Sequence, residues 1–227
     1  MITAVFDGSF ESLLELAAFL YESSLSFDAV LDKEGESSLF DENIYSDKSA
    51  VVKTEGLDVE RLKTVFLASD KDVYQLIVKR YFEAMDGAFT MESTARVREL
   101  ESAVNREAHK FKGFIRFEQT ELGFFARISP KNNVLPIIAP HFWRRFGDDR
   151  VIFDDRRGVA AIISKGGYRF VSAKLDRFEK SESEREFERL WRKFFESVSI
   201  KERQNKKLQQ NFVPLRYREH MSEFASG

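Results

Sequence analysis

Residues 127–157, RISPKNNVLPIIAPHFWRRFGDDRVIFDDRR, constrain the fold more than any other stretch of the chain. The segment reads as strand end, tight loop, short helix, loop and strand. Ile128 closes an apolar strand, and Ser129-Pro130-Lys131-Asn132-Asn133 has the residue types of a turn. Pro140 suits the first position of a helix, where its missing N–H costs nothing, and Gly147 suits the C-terminal stop. At about 100° per residue, Phe142, Trp143 and Phe146 share one side of that helix, while His141, Arg144 and Arg145 share the other. One side is therefore expected to be buried. The opposite side offers two guanidinium groups and an imidazole, which is a recognition surface more than a reaction mechanism.

The rest of the chain supplies the layers this segment needs. Ile2 to Phe6 reads as a strand and Asp7-Gly8-Ser9 as the turn into a helix, on which Phe10, Leu13, Leu14, Ala17, Leu20 and Tyr21 recur with helical spacing. That opening is common in α/β layers. Residues 23–56 are polar, and a hairpin or two irregular strands are expected at Ser38–Tyr45 and Ala50–Thr54. Helices follow over Asp58–Ala68, from about Asp70 to Gly87, and from about Ser93 to Phe111. Gly113–Thr120 and Phe124–Ser129 give a hairpin signal. Arg150–Asp154, Gly158–Ser164 and Tyr168–Ala173 add three strands, with Lys165-Gly166-Gly167 as a hairpin turn. Ser181 to Glu184 has capping-box form. The run beyond it, with Phe187, Leu190, Trp191, Phe194, Phe195 and Val198 on one side, is expected to be helical. The expected architecture is a single α+β domain over 1–227: a mixed or antiparallel sheet of short strands, packed helices and a helical C-terminal third.

Composition excludes several chemistries. The absence of cysteine removes thiolate catalysis, disulfides and Cys-based zinc or iron–sulfur sites. With three widely separated histidines, no structural metal and no tightly bound cofactor are expected. Residues 1–22 lack the pattern of a signal peptide and no apolar run could span a bilayer, so a cytoplasmic location without membrane association is expected. The net charge of −2 hides an asymmetry: residues 1–60 carry fourteen Asp and Glu against three Lys, a balance of −11 that leaves +9 for residues 61–227. A polyanion could use the basic remainder while the acidic strand-helix part keeps the protein soluble.

Two basic faces stand out. The first is Arg144 and Arg145 with His141. The second is Arg203, Lys206 and Lys207, extended by Arg216 and Arg218. Residues 201–220 hold six Lys and Arg against two Glu, and Tyr217 or Phe212 could stack on an unpaired base. A charged helix face is also often merely solvated, so the residues alone leave both readings open. An enzymatic reading rests on His141 with Asp154, Asp155 and the nearby arginines, as in a metal-dependent nuclease or phosphoesterase. Asp7, after the first strand, is a further catalytic candidate, although a turn or cap role suffices for it. No Walker A loop, H-E-x-x-H, G-x-S-x-G or G-x-G-x-x-G is present. Whether the protein is an enzyme stays open.

Three long motifs carry a resemblance: FDGSFE at 6–11, RFEQTELGFFARISPKNNVLPIIAPHFWRRFGDD at 116–149 and IKERQNKKLQQNFVPLRYREHMSEF at 200–224. They resemble an uncharacterised bacterial and archaeal family labelled "probable DNA metabolism protein". Some members look like an extension fused to a uracil-DNA glycosylase-like domain. Others tend to be encoded beside a radical-SAM protein. The family's recurrent features fall on Asp7, Gly8, Arg116, Phe117, Pro130, His141, Phe142, Arg145, Phe146, Asp154, Arg157, Arg203, Asn205, Pro214, Arg216 and Tyr217. Arg218 departs from the aromatic residue usual after the Arg-Tyr pair, and His220 falls outside the motif. The sequence stops at Gly227, so any base excision is expected from a separate protein.

The resemblance implies a nucleic-acid-binding accessory protein in DNA repair or DNA or RNA modification, acting with a glycosylase or radical-SAM partner. The basic faces and the resemblance together give as candidate binding residues Arg144, Arg145, Arg157, Arg203, Asn205, Lys206, Lys207, Arg216 and Tyr217. The two basic faces are expected to form one continuous surface, because a polyanion needs charges spaced along one track. Two alternatives remain: an adaptor that only docks the partner protein, and a nuclease or phosphoesterase using His141 and Asp154. The oligomeric state is open.

Overall fold

The computed structural model describes residues 2–33, 42–45, 50–120, 123–174, 181–187 and 189–190. They form an α+β fold in two compact units, Met1–Asn105 and Arg106–Gly227.

In the first unit, β1 (Ile2–Phe6) runs into a turn where Gly8 takes φ +93°. Ser9 then caps α1 (Phe10–Ser23), its hydroxyl accepting from the Ser12 N–H at 3.2 Å. β2 (Ala29–Asp32) pairs parallel with β1, and β3 (Glu42–Tyr45) pairs parallel with its other edge, giving the order β2-β1-β3. Of the hairpin or two irregular strands expected over 38–54, a strand forms within Ser38–Tyr45 and, among the described residues, the hairpin does not. Residues 42–45 pair with β1 instead of a sequence neighbour, and 50–54 form no strand. The reason is the apolar run Ala4-Val5-Phe6: it is buried, and such a strand is stable at the centre of a parallel layer with both edges paired. The helices α2 (Val59–Phe66), α3 (Val73–Asp86) and α4 (Met91–Phe114) follow close to expectation, with Asp58 capping α2 and left-handed Gly87 ending α3. Leu13, Leu16, Leu20, Val65, Ile77 and Tyr81 lie in this unit's core.

The second unit is built around β5 (Gly123–Ile128), α5 (Leu135–Phe146) and β6 (Arg150–Asp154), a parallel pair joined through a helix. β4 (Glu118–Thr120) pairs antiparallel with β5. On the other side β7 (Val159–Ser164) and β8 (Gly167–Ser172) extend the sheet antiparallel, in the order β4-β5-β6-β7-β8. The sheet is mixed, and Lys165-Gly166 makes the two-residue turn between β7 and β8. The first hairpin arm is shorter than expected because α4 continues through Phe114, so Gly113–Phe117 contribute no strand.

The helix begins at Leu135, not at Pro140. Pro136 occupies the early position where proline is tolerated, and Pro140 lies inside. Two prolines four apart satisfy the same start signal, and the apolar Leu135, Ile138 and Ala139 decide for the earlier one by packing into the core. Gly147 ends the helix at φ +64°, its N–H bonding the Trp143 carbonyl at 2.9 Å. Ser181 caps the helical residues 182–187 through the Glu184 N–H at 3.2 Å. The Glu184 carboxylate does not close a capping box. It binds Arg116 at 2.7 Å and the Gln119 N–H at 3.1 Å.

Candidate nucleic-acid interface

α5 packs on the sheet face formed by Ile128, Ile152, Ala161 and Ile163. Register then fixes what lies beyond it. Arg150, Ile163 and Tyr168 form one cross-strand row, and Ile152, Ala161 and Phe170 the next, so Tyr168 and Phe170 stand on the α5 side of the sheet. Among the described residues β8 is the last strand of this sheet, and α5 does not cover it fully. Tyr168 is 40% exposed and Phe170 is 42% exposed. Their rings meet edge to face with centroids 5.8 Å apart, and the half-buried Trp143 reaches Tyr168 at 6.1 Å.

The cations lie along the same helix. Arg144 and Arg145 in its last turn are exposed. His141 is half-buried, and its imidazole is pushed below its ordinary value near 6.5 first by burial, then by Lys112, Arg145 and Arg144. Lys112, from the last turn of α4, therefore adds a third positive charge to the field at His141. Among the described residues no ion pair offsets Lys112, Arg144 or Arg145. The expected inward face holds for Phe142, which is 2% exposed, and weakens along the helix to Phe146 at 38%. Phe146 does not stand free in solvent. It stacks on Phe142 and receives the Arg150 guanidinium at 3.8 Å, which also lies over Phe124 and Phe117 and pairs with Asp148 at 2.6 Å. Arg150 is thereby part of the scaffold.

At the other end of α5 the 129–134 loop is held by groups from two directions. The buried Glu107 carboxylate accepts from the Lys131 N–H at 3.0 Å, the Asn132 N–H at 2.8 Å and the Asn132 amide at 2.7 Å. Arg157 donates to the Lys131 carbonyl at 2.6 Å, to the Pro130 carbonyl at 3.3 Å and to Asp154 at 3.0 Å. Asp154 is fully buried. Burial raises its pKa, opposed by Arg157 and by the N–H groups of Arg156 and Arg157.

A profile of the DUF4130 family, described as a domain of unknown function, matches residues 49–223. The chain belongs to the DUF4130 family. No curated protein matches it. No solved structure matches it. The matched span contains α2 to α5 and the whole five-stranded sheet, and it leaves β1, α1, β2 and β3 outside. The ring-and-cation face of α5 and β8 is thus a feature of the DUF4130 part, whereas Asp7 lies outside it.

Within the DUF4130 part, His141, Arg144 and Arg145 come together with Lys112, a residue the sequence did not single out. Arg157 and Asp154 serve the loop at the opposite end of the helix. Among the described residues no hydrogen bond joins His141 to Asp154, and no group of three or more His, Asp or Glu is gathered to hold a metal. Asp7 accepts from the Ser9 N–H, the Ser9 hydroxyl and the Ser12 hydroxyl at 2.9, 2.7 and 2.5 Å. Those bonds, Ser12 first, hold its pKa down to about 2. Arg203, Asn205, Lys206, Lys207, Arg216 and Tyr217 lie outside the described residues. Tyr168 and Phe170 were missed although they had a signal. Aromatics at i and i+2 after a two-residue turn must share one face of a strand.

Proposed function

We propose that this DUF4130 protein binds nucleic acid through its phosphates, with Lys112, Arg144 and Arg145 as the principal cations. The observation that carries this reading is that three positive charges from two helix ends, Lys112 of α4 and Arg144 and Arg145 of α5, all act on His141, and none of them is paired among the described residues. Like charges held together repel, and a polyanion that neutralises them gains attraction and releases its counterions. Arg203, Lys206, Lys207 and Arg216 extend the same surface in this proposal, with Asn205 and Tyr217 beside them. Arg157 contributes indirectly, by fixing the loop before α5.

The motif resemblance supports placing this binding in DNA repair or in DNA or RNA modification, with a glycosylase-like or radical-SAM protein supplying the chemistry. A fully buried Asp154 gives the nuclease alternative no exposed carboxylate at that position.

Fluorescence anisotropy of labelled oligonucleotides over a potassium chloride series tests the phosphate contacts. The full chain should bind with a steep salt dependence, and Arg144→Ala with Arg145→Ala should flatten the slope of log K against log salt by roughly 1–2 units. Arg203→Ala with Lys206→Ala should weaken binding as well. Undetectable binding, or a slope the α5 pair leaves unchanged, contradicts the proposal and favours a protein-docking adaptor.

A further inference from the structure

We infer that the favoured ligand is single-stranded nucleic acid, with unpaired bases stacked on Tyr168 and Phe170 beside Trp143. This deepens the phosphate-binding reading and rests on it. The rings form a connected row, Trp143 to Tyr168 to Phe170, at 6.1 and 5.8 Å. Two of the three are more than a third exposed on an edge strand. Large rings on a sheet face are ordinarily covered, as the opposite face of this sheet shows: Phe125 and Phe153 are there buried with Ala160. The row that α5 leaves open is therefore a surface with room for flat apolar partners.

Charge selects the partner. Arg144 and Arg145 adjoin Trp143 in sequence on the last turn of α5. Lys165 stands in the turn immediately before β8. The pairing of Arg150 with Ile163 puts that turn at the start of β6, just after α5 ends. Lys165 thus borders the ring row at the end where Trp143 meets Tyr168, and Arg144 and Arg145 lie on the same helical turn as Trp143. A ligand that offers π-faces and phosphates at a short repeat satisfies both features, and a nucleic-acid strand is that ligand. In a duplex the base faces are already stacked on each other, so exposed rings gain nothing from them. In a single strand each base face is available, and stacking on aromatic side chains tolerates any sequence.

The test compares three labelled probes of equal length with the full chain: a mixed-sequence single strand, its blunt duplex, and a single strand of abasic sites. The abasic strand keeps the phosphates and lacks the bases. The base-bearing strand should bind roughly tenfold or more tighter than the abasic strand. Tyr168→Ala with Phe170→Ala should remove most of that advantage while leaving abasic binding unchanged. Tyr168→Phe should retain it. If the double variant fails to fold, Tyr168→Leu against Tyr168→Phe decides, since leucine keeps apolar volume without a π-face. Equal affinity for base-bearing and abasic strands overturns the stacking inference, leaves phosphate binding standing and returns the rings to a protein partner. Equal loss on both probes also overturns it, by showing a merely structural role. No binding to any probe overturns the phosphate reading itself.

Discussion

Glu107 lies three residues after Val104 and four before Phe111, on the apolar stripe of α4, and is 4% exposed. A carboxylate there is tolerated only because three donors from the 131–132 backbone and the Asn132 amide converge on it. The sequence hid this role. Glu107 sits in a run of charges alternating in sign, the pattern of a solvated helix face, and its partners are 24 and 25 residues away. Its place on the stripe was the one legible sign. Glu107→Ala should destabilise the protein by about 3 kcal/mol, because buried donors are left without an acceptor. Urea unfolding should show a lower midpoint at unchanged m-value. A loss below about 0.5 kcal/mol would show that the loop does not depend on this carboxylate. Asp7 is the opposite case: the turn role weighed for it from sequence is the one its three bonds describe.

The last turns of α5 carry the electrostatics. The stop at Gly147 and the burial of Phe142 were legible, because a left-handed cap and a helical stripe are local signals. The start was not, since the choice between Pro136 and Pro140 depends on packing against a sheet assembled from elsewhere in the chain. His141 gives this element a pH signature. In the free protein its pKa lies below the ordinary value near 6.5, through burial and the cations Lys112, Arg145 and Arg144. Neutral imidazole is thus favoured when folded, so this residue withdraws stability as pH falls through 6.5 toward the depressed value. In the proposed complex, bound phosphates would offset the cations and raise the pKa again, which would couple binding to proton uptake in that same window. Affinity should therefore rise as pH falls below about 6.5, and His141→Gln should remove the rise. Anisotropy titrations across that range check it, and a flat profile for the unsubstituted protein would show that phosphates do not approach His141.

At the scale of the whole molecule, the α+β class and the mixed sheet were readable because turn residues and strand composition punctuate residues 118–172 clearly. The parallel sheet of the first unit was not. Its register is set by pairing between β1, β2 and β3, and nothing in Glu42–Tyr45 alone says which strand it will join. The charge asymmetry was legible as a sum, with the acidic excess in residues 1–60 and the basic excess after them. The local grouping needed the structure, because Lys112 and the α5 arginines are 32 residues apart at the nearest and come to act on the same His141 only through the fold. The central claim is that nucleic acid lies across α5 and β8. Photo-crosslinking of a single strand carrying halogenated pyrimidines to the full chain, followed by peptide mass spectrometry, tests this most directly. The account predicts adducts on Trp143, Tyr168 or Phe170. Adducts confined to residues 2–33, or none on the peptides that carry those three rings, would contradict it.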